Sequence, residues 1–374
     1  MNDLEPKPRT AAILMTYQCI AECDECCFSC SPRLKGTSLS FDKIRIFLNK
    51  VKQIGSIKVV VFSGGECFIN FELLIKSIKY AHELGFLTRC VTNGFWGTSI
   101  ESARKRVQKL KDNGLNEINF STGDSHQKFV PVEYVLHCTI ASIEKGLLTC
   151  IAVETNSSKK FKVEDFINHP LYSKYIQDKS YSKLLKVMPT IWVSFHTDTV
   201  YNFDKTLLSG NDEGCDGIFD TVALEPRNDV VGCCGLTSND ISELHLGKIM
   251  DSDLEELLSN HHNDFLKIWI FVDGPKKVVE MASKWLGEMS PSFAHKCLYC
   301  AYLYNNKHLL EAIENNYMEI RNEVLTRYLE KVVIFNSIAS YCNGGTLHYS
   351  TWYYVVIIKE NQYYEILLEL CKAT

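Results

Sequence analysis

Between residues 11 and 155, short apolar runs rich in β-formers alternate with longer segments of helical period. This alternation restricts the fold more than any other feature of the chain. The run AAILMTY (11–17) predicts a strand, and SFDKIRIFLNKVKQIG (40–55) a helix with Ser40 as N-cap and Gly55 as its stop. IKVVVFSGG (57–65) predicts a buried strand, and FELLIKSIKYAHELG (71–85) a helix that ends on glycine. FLTRCVTNG (86–94), NEINFST (116–122) and LLTCIAVET (147–155) predict three more strands, with helices near 99–113 and 131–146 between them. Strands joined through helices pair in parallel with right-handed crossovers. The expected fold is therefore α/β, a partial (βα)6 barrel over residues 1–205, with its chemistry at the C-terminal ends of the strands.

From about residue 206 the rhythm is lost. Glycines and acidic residues in LLSGNDEGCDG (207–217) predict a boundary, a second region runs over 206–306, and a third over 307–374. The third region holds a helical stretch (307–334) and an aromatic tail (347–370), read as a packing or docking surface. At 374 residues and 46% hydrophobic, the chain can bury a large core, so its sixteen cysteines are not needed as covalent staples. The first residues lack the form of a signal peptide and leave no room for a leader-binding domain before the barrel. No uncharged stretch reaches the length of a membrane span. These features predict a cytoplasmic protein with reduced thiols and no membrane partner, in which clustered cysteines are metal ligands or catalysts. A net charge of −5 gives no basic footprint for nucleic acid.

The cysteines fall into groups. Five lie between Cys19 and Cys30, three between Cys215 and Cys234, and two form the pair Cys297 and Cys300. Cys67, Cys90, Cys138, Cys150, Cys342 and Cys371 stand alone and read as small buried hydrophobes. Cys19, Cys23 and Cys26 have the spacing C-x3-C-x2-C directly after the first strand. Three such thiolates can hold three irons of a 4Fe-4S cube and leave the fourth open to a cofactor. Cys23, Cys27 and Cys30 repeat the spacing as a second register, and a structural zinc site is the rival reading.

Three cysteines after strand one, followed by FSGGE at the end of strand two, resemble the radical S-adenosylmethionine enzymes. By that resemblance Ser63, Gly64, Gly65 and Glu66 would hold the amino group of S-adenosylmethionine. The family's aromatic residue before the third cysteine is replaced by Glu25, so adenine packing would fall to Phe28. TNGFW (92–96), with Asn93, and STGDSH (121–126), with Ser121 and His126, offer polar groups on the same barrel face; loop capping is their other reading. Cys215, Asn228, Cys233, Cys297 and Cys300 resemble the auxiliary-cluster module called a twitch domain, with asparagine where the pattern has glycine. Asparagine tolerates the left-handed backbone that such a glycine supplies. Four cysteines would close a second 4Fe-4S cube, with a four-cysteine zinc as the alternative.

CDECCFSCSP, TNGFWG, the doublet Cys233-Cys234 and CLYCAYLYN are similar to the peptide epimerases that turn L- into D-residues in ribosomally made peptides. The resemblance implies that Cys234 returns hydrogen to a Cα radical from the opposite face. It also implies a precursor peptide as substrate and an external electron donor of flavodoxin or ferredoxin type. The S-x-D pattern after strand four is broken by Gly123, with Asp124 one place on. Thioether or carbon–carbon crosslinking of a peptide, and a non-enzymatic zinc-binding adaptor, remain the other readings.

Overall fold

The computed structural model describes residues 5–155, 160–177, 181, 183–193 and 211–341, with side chains to residue 336. The boundary expected near 206, the aromatic tail 347–370, and Cys342 and Cys371 lie outside the described residues.

The alternation read in the sequence is built as β1 (Thr10–Leu14), α1 (Phe41–Ile54), β2 (Val59–Ser63), α2 (Phe71–Glu83), β3 (Leu87–Thr92), α3 (Ile100–Asp112) and β4 (Glu117–Thr122). A short α4 (Asp124–Gln127), α5 (Val132–Glu144), β5 (Leu148–Thr155), α6 (Val163–Ile167), α7 (Pro170–Tyr172) and β6 (Leu185–Ile191) continue it. Local signals act where they were read. The Ser40 hydroxyl accepts from Lys43 N at the start of α1, and Gly55 ends the helix at φ +77°. Ile44, Phe47, Leu48 and Val51 form the buried stripe of α1, at the i, i+3, i+4, i+7 spacing of one helix face.

After the undescribed stretch come α8 (Gly217–Asp220), β7 (Thr221–Leu224), β8 (Asp229–Val231) and β9 (His245–Lys248). Helices α9 (Leu254–His262), α10 (Phe265–Asp273), α11 (Pro275–Leu286), α12 (Lys296–Tyr304), α13 (Lys307–Asn316) and α14 (Arg321–Tyr341) follow. All nine strands form one sheet, ordered β6-β5-β4-β3-β2-β1-β7-β8-β9. Strands β1 to β6 run parallel, β7 adds parallel to β1, and β8 and β9 are antiparallel. The expected α/β fold with a parallel sheet is thus observed, and the sheet runs on past the expected boundary instead of stopping there.

Alternation along the strands divides the residues between the two sheet faces. Ala11, Ile13, Cys90, Ile118, Phe120 and Ile151 pack with the helices of the first half. On the other face Ala12 and Leu14 pack with Trp269, Phe271, Val324 and Val332 from α10 and α14. Further along that second face the strands carry Arg89, Glu117, Ser121 and Glu154 instead, all buried. Arg89 is paired with Glu117 at 2.9 Å. A polar interior of this kind stands directly beneath the strand ends. Among the described residues, no helix is long and apolar enough to cross a membrane.

Candidate functional site

Strand β1 lies inside the sheet, so the loop that leaves it stands over the middle of the strand ends. The loop is closed by a parallel bridge between Gln18 and Ser31 and by Cys19 N donating to Ser31 O at 3.2 Å. Two tight turns follow, Cys26 N to Cys23 O and Ser29 N to Cys26 O, the second placing Ser29 at φ +48°. Cys19, Cys23 and Cys26 are thereby gathered into one electrostatic group. Burial, reinforced by the neighbouring thiols, pushes Cys19 and Cys23 up to about 12. Cys26 is drawn down to about 6, chiefly by a hydrogen bond from Cys30, whose own thiol is pushed far up. N–H groups aim at two of the sulfurs: Ala21 N at Cys19 Sγ (3.4 Å) and Cys30 N at Cys26 Sγ (3.3 Å). Thiolates held at a strand end by N–H donors are a donor set that suits iron. Cys27 and Cys30 are placed differently. Cys30 is buried in the apolar cluster with Tyr17 and Ala21. The Cys27 thiol is pushed up by burial first, and then by Cys26, Cys297 and Cys234, so it stands between the two cysteine sets.

The glycine-rich turn after β2 lies against this loop. A Cβ on Gly64, at φ +130°, would sit 2.5 Å from Thr16 O, and one on Gly65 2.3 Å from Gln18 O. Gly65 N and Glu66 N then donate to Thr16 O and Gln18 O at 2.6 and 2.9 Å. The glycines are required because two backbones touch. The Ser63 carbonyl is likewise taken by Met15 N at 2.9 Å. The Glu66 carboxylate, expected to meet a ligand's ammonium, accepts from Phe68 N (3.0 Å), Thr92 Oγ1 (2.9 Å) and Asn93 N (2.8 Å). Burial lifts it to about 7 despite these three bonds. Asn93 connects the turn to the cysteines, its Nδ2 reaching Cys19 Sγ at 3.6 Å.

At the ends of β4 and β5 the sequence signals were incomplete. Glu154, on β5, was not singled out, yet it accepts from Ser125 N at 3.0 Å and from Ser125 Oγ at 2.7 Å. Its Oε2 lies 3.5 Å from His126 Nδ1. Gly123, at φ +142°, allows this approach, since a Cβ there would lie 2.5 Å from Glu154 Cβ. Ser125 Oγ is also 2.7 Å from Glu25 Oε2, and Lys128 pairs with Asp24 at 2.6 Å, so α4 and the residue after it hold the cysteine loop at two points. Asp124 instead accepts the backbone N–H of Lys160 at 2.6 Å. Ser121 is buried in β4 below this group, and the His126 ring meets the Trp192 ring edge-on at 4.9 Å. Phe28 is turned the other way, toward Cys233 and Cys234.

The second cysteine set converges. Cys215, Cys233, Cys297 and Cys300 line one cavity. A Cβ on Gly235 would lie 3.2 Å from Cys297 Sγ and 3.3 Å from Cys233 Sγ, which brackets the gap between them. Burial and the neighbouring thiols push Cys233 and Cys300 well up and Cys297 to about 12. Asn228 takes φ +72°, the left-handed backbone its position required. The doublet sits between two cavities: Cys234 is absent from the four-cysteine one and lines a second with Leu14, Phe28, Ala223, Glu225 and His245, which Cys233 also borders. Burial pushes the Cys234 thiol up to about 11, against a hydrogen bond with the Thr221 side chain, with Asp220 and Arg89 among the charges acting on it.

No protein-family model matches the chain. Over 122 residues it is 27% identical to YydG of Bacillus subtilis (strain 168), whose name marks it only as a candidate peptide biosynthesis protein. That match spans 33% of this chain and 38% of YydG. Among solved structures it is similar to BtrN in complex with AdoMet and 2-DOIA, with a TM-score of 0.43, 14% identity, and 72% of this chain and 89% of that one covered. It is also similar to anSMEcpe with bound AdoMet and Cp18Cys peptide, with a TM-score of 0.48, 14% identity, and 85% and 99% covered. Both are distant likenesses.

Proposed function

We propose that the chain is a radical S-adenosylmethionine enzyme that acts on a peptide, and that it inverts L-residues to D-residues in a ribosomally made precursor. The observation that carries this reading is the placing of the doublet: Cys233 lines the four-cysteine cavity, whereas Cys234 lines only the neighbouring one, which Cys233 also borders. The gathering of Cys19, Cys23 and Cys26 at the end of β1, with Asn93 on Cys19, supports a first cluster site there. The stretch similar to YydG supports a peptide as substrate.

An open-iron cluster with S-adenosylmethionine supplies a radical that can remove a Cα hydrogen. The chain's own residues do the rest. Cys234, pushed up to about 11, is protonated at neutral pH and keeps a hydrogen available. Leu14, Phe28, Ala223 and Val231 line one side of its cavity with apolar groups, which disfavours competing water there. When the thiol gives its hydrogen atom to a planar Cα, the Cα–H bond forms on the thiol's side and the sulfur is left one electron and one proton short. The electron would come from an external flavodoxin- or ferredoxin-type donor and the proton from solvent; Cys215, Cys233, Cys297 and Cys300 would hold a second cluster, whose chemistry suits electron relay.

Anaerobic iron and sulfide analysis is expected to give about eight of each per chain for two cubes. Cys234→Ala is expected to keep that iron and still cleave S-adenosylmethionine, yet make no D-residue. In deuterated water the unaltered enzyme is expected to place one deuterium at each inverted Cα. A product lighter by two hydrogens means crosslinking, and a fully active Cys234→Ala variant removes the thiol from the reaction. Loss of half the iron in that variant makes Cys234 the ligand instead.

A further inference from the structure

Strand β7 ends at Leu224, and the next residue, Glu225, opens a tight turn into β8. Glu225 N donates to Asp229 O at 3.0 Å and Asn228 N to Glu225 O at 2.9 Å. His245, the first residue of β9, pairs with Val231 of β8. The antiparallel ribbon thus gathers two carboxylates and an imidazole, with one ligand atom from each lying within 4.8 Å of the others. We propose that Glu225, Asp229 and His245 bind one divalent transition ion of the Mn2+ or Zn2+ kind at the rim of the Cys234 cavity.

The observation beyond the cluster itself is an orphaned oxygen. Glu225 is 3% exposed, and its Oε1 is buried without a hydrogen-bond partner. A buried acceptor left unpaired is costly, and a cation is one of the few groups that satisfy it. Oε1 faces the rest of the set, 3.8 Å from His245 Nδ1. The other oxygen, Oε2, accepts from Tyr17 OH, which holds the carboxylate in place from the cysteine loop. Lys248 pairs with Asp229 Oδ1 at 2.6 Å, a second contact that orients this carboxylate. The other charge nearby, the Arg227 guanidinium, lies over the Tyr17 ring at 5.6 Å. Second contacts on ligand oxygens of this type orient metal ligands in known sites.

The spacing fits a small ion. Ligands bonded to one ion at about 2.0–2.2 Å lie about 3 to 3.6 Å apart in cis or tetrahedral positions, so the three groups, within 4.8 Å of one another, close by at most about 1–2 Å. One nitrogen with two carboxylates selects a transition ion over calcium or magnesium, which prefer oxygen alone. Glu225 and His245 also wall the Cys234 cavity, so the ion would stand beside that thiol.

The proposal is independent of the peptide reading, because binding is scored without S-adenosylmethionine or peptide. Anaerobically purified protein, with its iron and sulfide counted and any clusters oxidised to their diamagnetic state, is titrated with Mn2+. The six-line signal of free Mn2+ is followed by electron paramagnetic resonance. One saturable Mn2+ per chain is expected beyond the counted iron. Glu225→Gln and His245→Asn are each expected to weaken binding at least tenfold at unchanged iron content, while Asp251→Asn, at an exposed acid outside the set, leaves it as it was. Absence of saturable binding in the unaltered protein, or equal binding in all three variants, overturns the site. Equal binding also reassigns Oε1 to a proton shared with Asp229.

Discussion

Glu66 is a carboxylate pulled in two directions, by burial toward the neutral form and by three donors toward the charged one. Burial prevails, raising its pKa from 4.5 to about 7. The folded state therefore holds the proton over a range in which the unfolded chain has lost it. Stability is fully present below pH 4.5 and falls as pH rises toward 7, by an amount on the order of 3 kcal/mol from this residue. Glu66→Gln, which has no charge to bury, is expected to flatten that slope in denaturant titrations; an unchanged slope assigns the pH dependence elsewhere. Ser125 presents a different tension. Its hydroxyl has one hydrogen and stands 2.7 Å from both Glu25 and Glu154. Ser125→Ala is expected to loosen the cysteine loop by about 1.5–3 kcal/mol, read as faster loss of iron to a chelator at nearly unchanged melting temperature. Asn93 and Asn228 could be found in the sequence because short motifs surround them. Glu154 could not: in LLTCIAVET nothing marks a carboxylate, and its importance comes from a partner 29 residues away.

Helix α1 and the turn after β2 show how far local chemistry carries at the level of elements. Ser40, Gly55 and the apolar stripe of α1 are all local signals, and each acts as read. The pair Gly64-Gly65 was legible as a motif, but its cause was not, because the touching backbone belongs to Thr16 and Gln18 of another element. Strands β7, β8 and β9, of four, three and four residues, are too short to show a period and were missed. The two kinds of glycine predict different outcomes. Gly55→Ala meets only Gln53 O at 3.9 Å, so its cost is the backbone strain alone, about 1 kcal/mol. Gly65→Ala would place Cβ 2.3 Å from Gln18 O, and the turn must part from the cysteine loop. A loss of at least 2 kcal/mol, roughly, together with weakened S-adenosylmethionine binding, is expected in thermal shift assays. Equal effects of the two variants would count against the close approach.

The whole molecule is held together across its regions as much as within them. Strand β7 pairs with β1, Ala12 and Leu14 share a core with α10 and α14, and Arg9 bonds Asp220 at 2.6 Å while lying over Phe335 at 4.4 Å. Lys7 N and Asn336 Oδ1 are 3.0 Å apart, closing the first described segment onto the last helix. Calorimetry is therefore expected to show one cooperative transition, and a fragment of residues 1–205 to lack the full chain's cooperativity; two separated transitions would restore independent domains. The sheet shared by the two regions was not readable in the sequence, since pairing between distant strands leaves no local mark. The placement of β1 also has a temporal side. Thr10 leaves the ribosome 211 residues before Thr221, its neighbour in the sheet. At about 5–20 residues per second, one flank of β1 stays bare for roughly 10–40 s of synthesis. During that interval the nascent chain carries an open strand edge beside the five thiols of the loop after β1, an edge of the kind that other chains can pair with.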